Sequence, residues 1–364
     1  MVNHILLVEP DYYSKYPPLG LLKLSSYQKA SGHTTELVKG ITDELSTEPN
    51  IIYITSLFTW AWKPVWEAIS FYSQKFPNSE VWLGGLYASL MPAHAALSGI
   101  NPRNIYQGIF CEAENLLPDY SLVPEWNKKV GGSIVFASRG CIRSCPYCAV
   151  PLIEKSLNSA KDSIKDLLWP DHKKVIFFDN NFLANTHWKK ILDEVEELDL
   201  QVDFNQGLDA RLITDEVATK LARLKIERMI RLSYDYIEMR HFVNKAIDLL
   251  KSKGISGRNI LVYTLYNFTD NPDDFYKRMS DILQWGAVCY PQRYEPNQAL
   301  HKNRFVSSRW DPSRLYAVQR ARRVIGNNGV FLPHDGMLKL KVQNCSTFDD
   351  AFKEFMEPLE ATVQ

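Results

Sequence analysis

The chain has 364 residues, 45% of them apolar and 23% charged, with 42 basic side chains against 42 acidic ones. That is the make-up of an ordinary globular protein, and the balanced charge excludes a global field toward nucleic acid or anionic membrane, leaving only local patches open. No apolar run approaches the roughly 18–20 residues needed to span a bilayer. The start, MVNHILLVEPDYY, lacks a basic segment followed by a long apolar one, so no secretory signal is read and a cytoplasmic location is expected.

In the first third, short apolar strands alternate with helical segments. Strands are predicted at Ile5 to Glu9, Thr34 to Val38, Ile51 to Ser56, Val81 to Leu86 and Ile105 to Ile109. Helices are predicted at Leu19 to Ala30, ended by Gly32, and at Lys63 to Phe76, where Val65, Ala68, Ile69 and Tyr72 recur at helical spacing. This alternation predicts a parallel, doubly wound sheet of Rossmann type over residues 1–126. Ligands of such sheets bind beyond the carboxyl ends of the strands. Two loops lie there, Ser56 to Thr59 and Gly84 to Ser89, and glycines allow close backbone approach to a flat ligand.

From Cys111 to Gly132 the chain carries Pro118, Pro124, Glu112, Glu114 and the pair Gly131-Gly132, with little room for regular elements. The best domain boundary falls here. Cys111 is expected to be a buried apolar residue.

The stretch Ala137 to Pro151, ASRGCIRSCPYCAVP, follows the apolar run Ile134 to Phe136 and places Cys141, Cys145 and Cys148 in a C-x3-C-x2-C array. Three thiolates on one loop can hold three irons of a 4Fe–4S cluster and leave the fourth iron open. A structural zinc site would want four ligands at paired spacing. The other cysteines, Cys111, Cys289 and Cys345, are remote and unpaired. Zinc and free thiols remain the alternatives to iron on this pattern alone.

Six strand–helix units then follow to about residue 296. Their strands are predicted at Ser133 to Ala137, Val175 to Asp179, Gln201 to Phe204, Arg228 to Ser233, Ile260 to Tyr266 and Ala287 to Pro291. A helix near Ala160 to Trp169 is stopped by Pro170. The next, from about Thr186, buries Trp188, Ile191, Leu192, Val195 and Leu198. Another is capped by Thr214 and buries Val217, Leu221 and Leu224. The fourth turns Met239, Phe242, Val243, Ala246, Ile247 and Leu250 inward and ends at Gly254. The fifth starts at Asn271-Pro272 and buries Phe275, Met279, Ile282 and Leu283. Strand ends in such a series collect function. They present Asp179, Asn180 and Asn181; Gln206, Asp209 and Arg211; Ser233; Asn267; and Arg293 with Glu295. Arg211 suits a carboxylate, which its planar fork binds bidentately.

The cysteine spacing, with Tyr147 before the last cysteine, resembles the signature of the radical S-adenosylmethionine (SAM) enzymes. The resemblance implies a partial (βα)6 barrel of TIM type over residues 127–296. It implies a 4Fe–4S cluster on Cys141, Cys145 and Cys148 whose open iron chelates SAM and whose electron splits it to a 5′-deoxyadenosyl radical. Reduced flavodoxin or ferredoxin would supply that electron. Asp179 to Asn181 fall where the family has a glycine-rich loop for the methionyl group, although the glycines are missing, and Ser233 falls where it places a ribose contact. Gln206, Asp209 and Arg211 complete the expected SAM set, leaving Asn267, Arg293 and Glu295 for substrate. With Pro17 to Gly20 and Gly84-Gly85, the first third resembles the cobalamin-binding domain found ahead of many such barrels. The D-x-H-x-x-G motif with a cobalt-ligating histidine is absent, and a scaffold without cofactor is the other expectation. With cobalamin the implied reaction is methyl transfer; without it, other radical chemistry.

In residues 297–364 the basic side chains Lys302, Arg304, Arg309, Arg314, Arg320, Arg322 and Arg323 crowd together. A helix is predicted from Asp311-Pro312 to Ile325, ended by Gly326, as part of a mostly helical extension in which Trp310 and Tyr316 cover the barrel. This basic run motivates a rival of another class, an RNA- or partner-binding protein with a structural or redox-sensing cluster.

Overall fold

A computed structural model describes residues 2–154, 160–325 and 345–356. By contacts the chain divides into two compact units. The first comprises Met1–Ser159, Ser163–Ile176 and Pro296–Lys302; the second comprises Ala160–Asp162, Phe177–Glu295 and Asn303–Gln364. The units cross the sequence boundaries drawn near 126 and 296, and the cysteine stretch belongs by contacts with the first.

The first unit is built on a four-stranded parallel sheet, β1 (His4–Glu9), β2 (Thr34–Lys39), β3 (Ile51–Ser56) and β4 (Glu80–Gly85), in the order β2-β1-β3-β4. Its central strand buries both faces, as an uninterrupted apolar run requires. Leu6 and Val8 point into a core with Ile52, Ile54 and Leu83, beneath Val65, Ile69 and Tyr72 of the helix Trp62–Lys75. Ile5 and Leu7 face Leu21 of the helix Leu19–Ala30. Each fully buried aliphatic side chain stabilises by roughly 1.5–3 kcal/mol. One helix on each face is the expected parallel α/β arrangement. The strand expected at Ile105 to Ile109 does not form: only Ile105 bridges, to Leu83, and Gly108 at φ +86° turns the backbone away. Cys111 is exposed, not buried, on the short helix Cys111–Glu114.

β5 (Gly132–Val135) is buried along its length and leads into the cysteine stretch. His172 holds it, accepting or donating at Ser133 Oγ (2.9 Å from Nδ1) while Nε2 meets Asn127 Oδ1 at 3.1 Å. Asn127 gives its Nδ2 to Tyr120 O and so presents Oδ1 as an acceptor; the imidazole proton therefore sits on Nε2, and Nδ1 accepts from Ser133 Oγ, which also takes the Trp169 N–H. β6 (Lys174–Phe177) follows. The helix expected over Ala160 to Trp169 is absent from the described residues, where only the 3-10 turn Lys165–Leu167 forms. Ser163 Oγ takes the Lys165 N–H, a local bond that competes with helix propagation.

The second unit pairs β7 (Gln201–Phe204) with the two-residue β8 (Lys225–Ile226), and β9 (Ile230–Ser233) with β10 (Ile260–Tyr266) and β11 (Val288–Arg293), all parallel. The helices Trp188–Glu197, Asp215–Arg223, Arg240–Ser252 and Pro272–Gln284 lie where the periodicity puts them. Thr214 accepts the Val217 N–H, and Asn271 forms a capping box with Asp274. Leu198 and Phe242 are exposed instead of buried; Leu198 caps its helix just before Asp199 takes φ +56°, and Leu200 enters the core in its place. The helix Pro312–Ile325 forms, Trp310 is buried against Tyr266, Phe275 and Phe348, and Gly326 lies outside the described residues. Among the described residues no helix is long and apolar enough to cross a membrane.

Candidate cofactor-binding site

The cysteine stretch is organised by backbone bonds. Gly140 takes φ +75°, the Cys148 N–H reaches Cys145 O at 3.0 Å, and the helix Val150–Ile153 closes the segment. Two sulfurs already accept backbone N–H groups: Cys141 Sγ from Arg143 at 3.3 Å and Cys148 Sγ from Val150 at 3.4 Å. Burial pushes the Cys148 thiol up, and the charges of Cys145, Cys141 and Glu154 push it the same way against the Val150 N–H. All three cysteines are half-buried and free of disulfides. The described residues contain no preassembled group of three or more His, Cys, Asp or Glu at metal-binding geometry. As a donor set, three thiols on one loop with N–H···S bonds fit an iron–sulfur cluster, whose potential such bonds tune.

Beside this loop, within the first unit, lies a cavity of about 430 Å³. One wall is the exposed face of β3 and β4, with Tyr53, Trp82 and Gly84; Tyr106 and Phe110 close another. Lys23, Glu114, Arg139 and Glu154 form the remaining, charged wall. Gly85 at φ +101° is dictated by packing, since a Cβ there would sit 2.2 Å from Ser56 O. Ser56 Oγ donates to Gly84 O at 2.6 Å and accepts the Ala88 N–H, fixing the glycine loop to the end of β3. Gly84 has open space where a side chain would go. No histidine lines the cavity. Its size suits one flat ring system of a corrinoid, such as the benzimidazole, and not an entire corrinoid. Its aromatic lining fits such a ring.

In the second unit the expected SAM contacts partly converge. Asp209 takes the Arg211 guanidinium bidentately, Nε to Oδ1 at 2.7 Å and Nη2 to Oδ2 at 3.1 Å, and Asn181 Nδ2 donates to the same carboxylate at 3.3 Å. Asp179 is buried, Asn180 half-buried and Gln206 exposed. Ser233 ends β9 opposite Tyr263 of β10. The expected substrate set is organised otherwise. Asn267, at φ +68° and fully buried, donates to Phe305 O at 3.0 Å and accepts the Ser307 N–H at 2.9 Å. Arg293 donates to Phe305 O at 2.7 Å, and Glu295 Oε1 accepts the Asn303 N–H at 2.9 Å. These three tether the segment 303–307. Sequence reasoning missed the charged wall and the buried Asp203–Arg231 pair that joins β7 to β9. Arg139 stands two residues before the first cysteine, the one positional hint to that wall.

No family model matches the chain, and no curated protein matches it in sequence. Solved structures do match in fold. The radical SAM methyltransferase TsrM from Kitasatospora setae, with tryptophan and a SAM analogue bound, aligns at TM-score 0.59 and 14% identity over 81% of this chain and 75% of that one. The cobalamin-dependent SAM radical enzyme OxsB, with aqua-cobalamin and SAM bound, aligns at 0.57 and 14% over 80% of this chain and 53% of that one, so the chain spans about half of OxsB. In fold, then, the chain is similar to radical SAM enzymes, OxsB among them cobalamin-dependent.

Proposed function

We propose that the protein is a radical SAM enzyme that works with a corrinoid, and that methyl transfer is its reaction. The observation that carries this is the C-x3-C-x2-C loop, whose three cysteines form no disulfide, on a chain that shares the fold of TsrM and OxsB. Cys141, Cys145 and Cys148 would hold the 4Fe–4S cluster, and the cavity over β3 and β4 would hold the flat tail of cobalamin. When bound, the cluster supplies the electron that splits SAM, and cobalamin supplies a methyl carrier.

The chain's own residues position these groups. Arg211, braced by Asp209, would take a carboxylate such as that of SAM. Asp179, Asn180 and Asn181 offer polar contacts to an amino group, and Gln206 and Ser233 to ribose hydroxyls. Tyr147, next to Cys148 in sequence, would line the cluster loop. Asn267, Arg293 and Glu295 would support the substrate side by fixing the backbone of segment 303–307 with their side chains. Of the basic run that motivates RNA binding, Arg314 is engaged by Asp311 and Asp349.

The test is anaerobic reconstitution with iron and sulfide, then reduction in the presence of SAM. The expected product is 5′-deoxyadenosine, absent from Cys145→Ala. Cluster-loaded protein that never yields it would overturn the proposal.

A further inference from the structure

Register sorts the side chains of β9, β10 and β11 onto two faces, because alternate residues of a strand point to opposite sides. One face is sealed. Ile230, Leu232, Ile260, Val262, Thr264 and Cys289 lie on it, none more than 1% exposed. The helix Pro272–Gln284 packs there, with Phe275 against Tyr266 at 5.2 Å. The opposite face is open. Ser233, Tyr263 and Tyr290 are register partners in one row across it, all three half-buried, and Gln292, two residues beyond Tyr290, is exposed. Along the seven residues of β10, Tyr263 is the one that is not buried. A parallel sheet is ordinarily covered on both faces, and a packed barrel interior is filled by Val, Ile and Leu. Here the middle of the sheet presents a hydroxyl and two phenols instead.

The two phenol rings meet edge to face, with centroids 5.3 Å apart and planes at 81°. Such a pair leaves a corner in which a third ring finds one face and one edge, the contacts aromatic rings prefer. The face offers no free charge. Arg231 is the one charged side chain that β9 to β11 place on it, and Arg231 is buried on Asp203 and on Phe204 O at 3.1 Å. We infer that Tyr263 and Tyr290 form the substrate subsite, and that the substrate presents to it an uncharged aromatic ring bearing a hydrogen-bonding group, which Gln292 meets. The inference rests on the radical SAM reading above, which gives the neighbouring Ser233 to SAM and so sets the aromatic corner beside the cosubstrate. The chemistry selects this class. A carboxylate on the ring would find no free cation on this face, and an ammonium no free carboxylate, since Asp203 is spent on Arg231. A saturated ring of the same size would bury similar area but forgo the ring–ring contact.

The experiment measures binding of phenol, indole, cyclohexanol, benzoate and benzylammonium to the full-length, cluster-loaded protein with SAM, by ligand-observed NMR. Phenol and indole should bind about fivefold or more tightly than cyclohexanol, the ratio expected of a ring–ring contact, and more tightly than either charged probe. Tyr290→Phe should keep that preference and Tyr290→Leu should lose it. Photolysis of 4-azidophenol on the unmodified protein locates the site even if the leucine variant fails to fold, with label expected on the peptides that carry residues 260–266 and 288–293. No preference for the aromatic ring, a preference for a charged probe, or label confined elsewhere, the cavity over β3 and β4 included, would overturn the inference and leave SAM cleavage standing. Cluster-loaded protein that binds the probes as expected but yields no 5′-deoxyadenosine would overturn the radical SAM reading instead, and the substrate assignment with it.

Discussion

Glu154 Oε2 accepts the main-chain N–H of Gly140 at 2.5 Å, so one carboxylate closes the loop that carries Cys141, Cys145 and Cys148. Its second oxygen holds Arg139. Glu154→Gln keeps one acceptor but loses the charge, and Glu154→Ala loses both. The alanine variant is expected to retain less than about half of the wild-type iron after desalting, since a buried charge-assisted bond is worth about 1.5–3 kcal/mol. Iron and sulfide analysis checks this, with the glutamine variant expected to lie between the two.

Asp209 grips the Arg211 guanidinium through two bonds, takes the Arg211 main-chain N–H as well, and accepts a fourth bond from Asn181. Arg211→Lys cannot form the bidentate fork. Its Kd for SAM should rise about tenfold, the equivalent of one good charge-assisted bond, with iron content unchanged. Equilibrium binding of labelled SAM measures it; unchanged affinity would remove Arg211 from the SAM site.

Gly84 and Gly85 are adjacent yet should behave oppositely. Gly85→Ala forces a Cβ to 2.2 Å from Ser56 O at a positive φ, and should cost roughly 2–4 kcal/mol of stability. Gly84→Ala meets nothing within 4 Å and should leave stability within about 0.5 kcal/mol, while narrowing the cavity it lines. Thermal unfolding separates the two, and cobalamin titration should show the second variant impaired.

Burial pushes the His172 imidazole below its ordinary range, with Asp171 opposing. Its stability contribution is therefore full above the unfolded imidazole pKa of about 6.5. It declines as pH falls from there toward the lower folded value, because the unfolded chain takes up a proton that the folded one resists. His94 is shifted in the same direction by burial, so His172→Gln should flatten this acid-side loss only in part. Denaturant midpoints between pH 5 and 8 test the slope.

The fold was legible where physics is local. Helix ends at Gly32, Thr214 and Asn271 follow from caps and φ preferences within a few residues, and the central strands follow from their apolar runs. The Ile105 to Ile109 strand misled because its composition suits a strand while Gly108 bends the backbone after one bridge. Of the site, the cysteine loop could be read because its ligands are close in sequence. The cavity wall could not, because Lys23, Glu114, Arg139 and Glu154 meet only through tertiary packing. Asn267 could be placed at a strand end from sequence, but the bonds of its amide to Phe305 and Ser307 could not be read there, because they too depend on tertiary packing.

The most direct test of the central claim is electron paramagnetic resonance of the reconstituted, reduced protein, recorded with and without SAM. Four irons per chain and a cluster signal that changes when SAM is added are the expected result, since an iron left open by three cysteines is where SAM would bind. Zinc in place of iron, or a cluster signal indifferent to SAM, would contradict it.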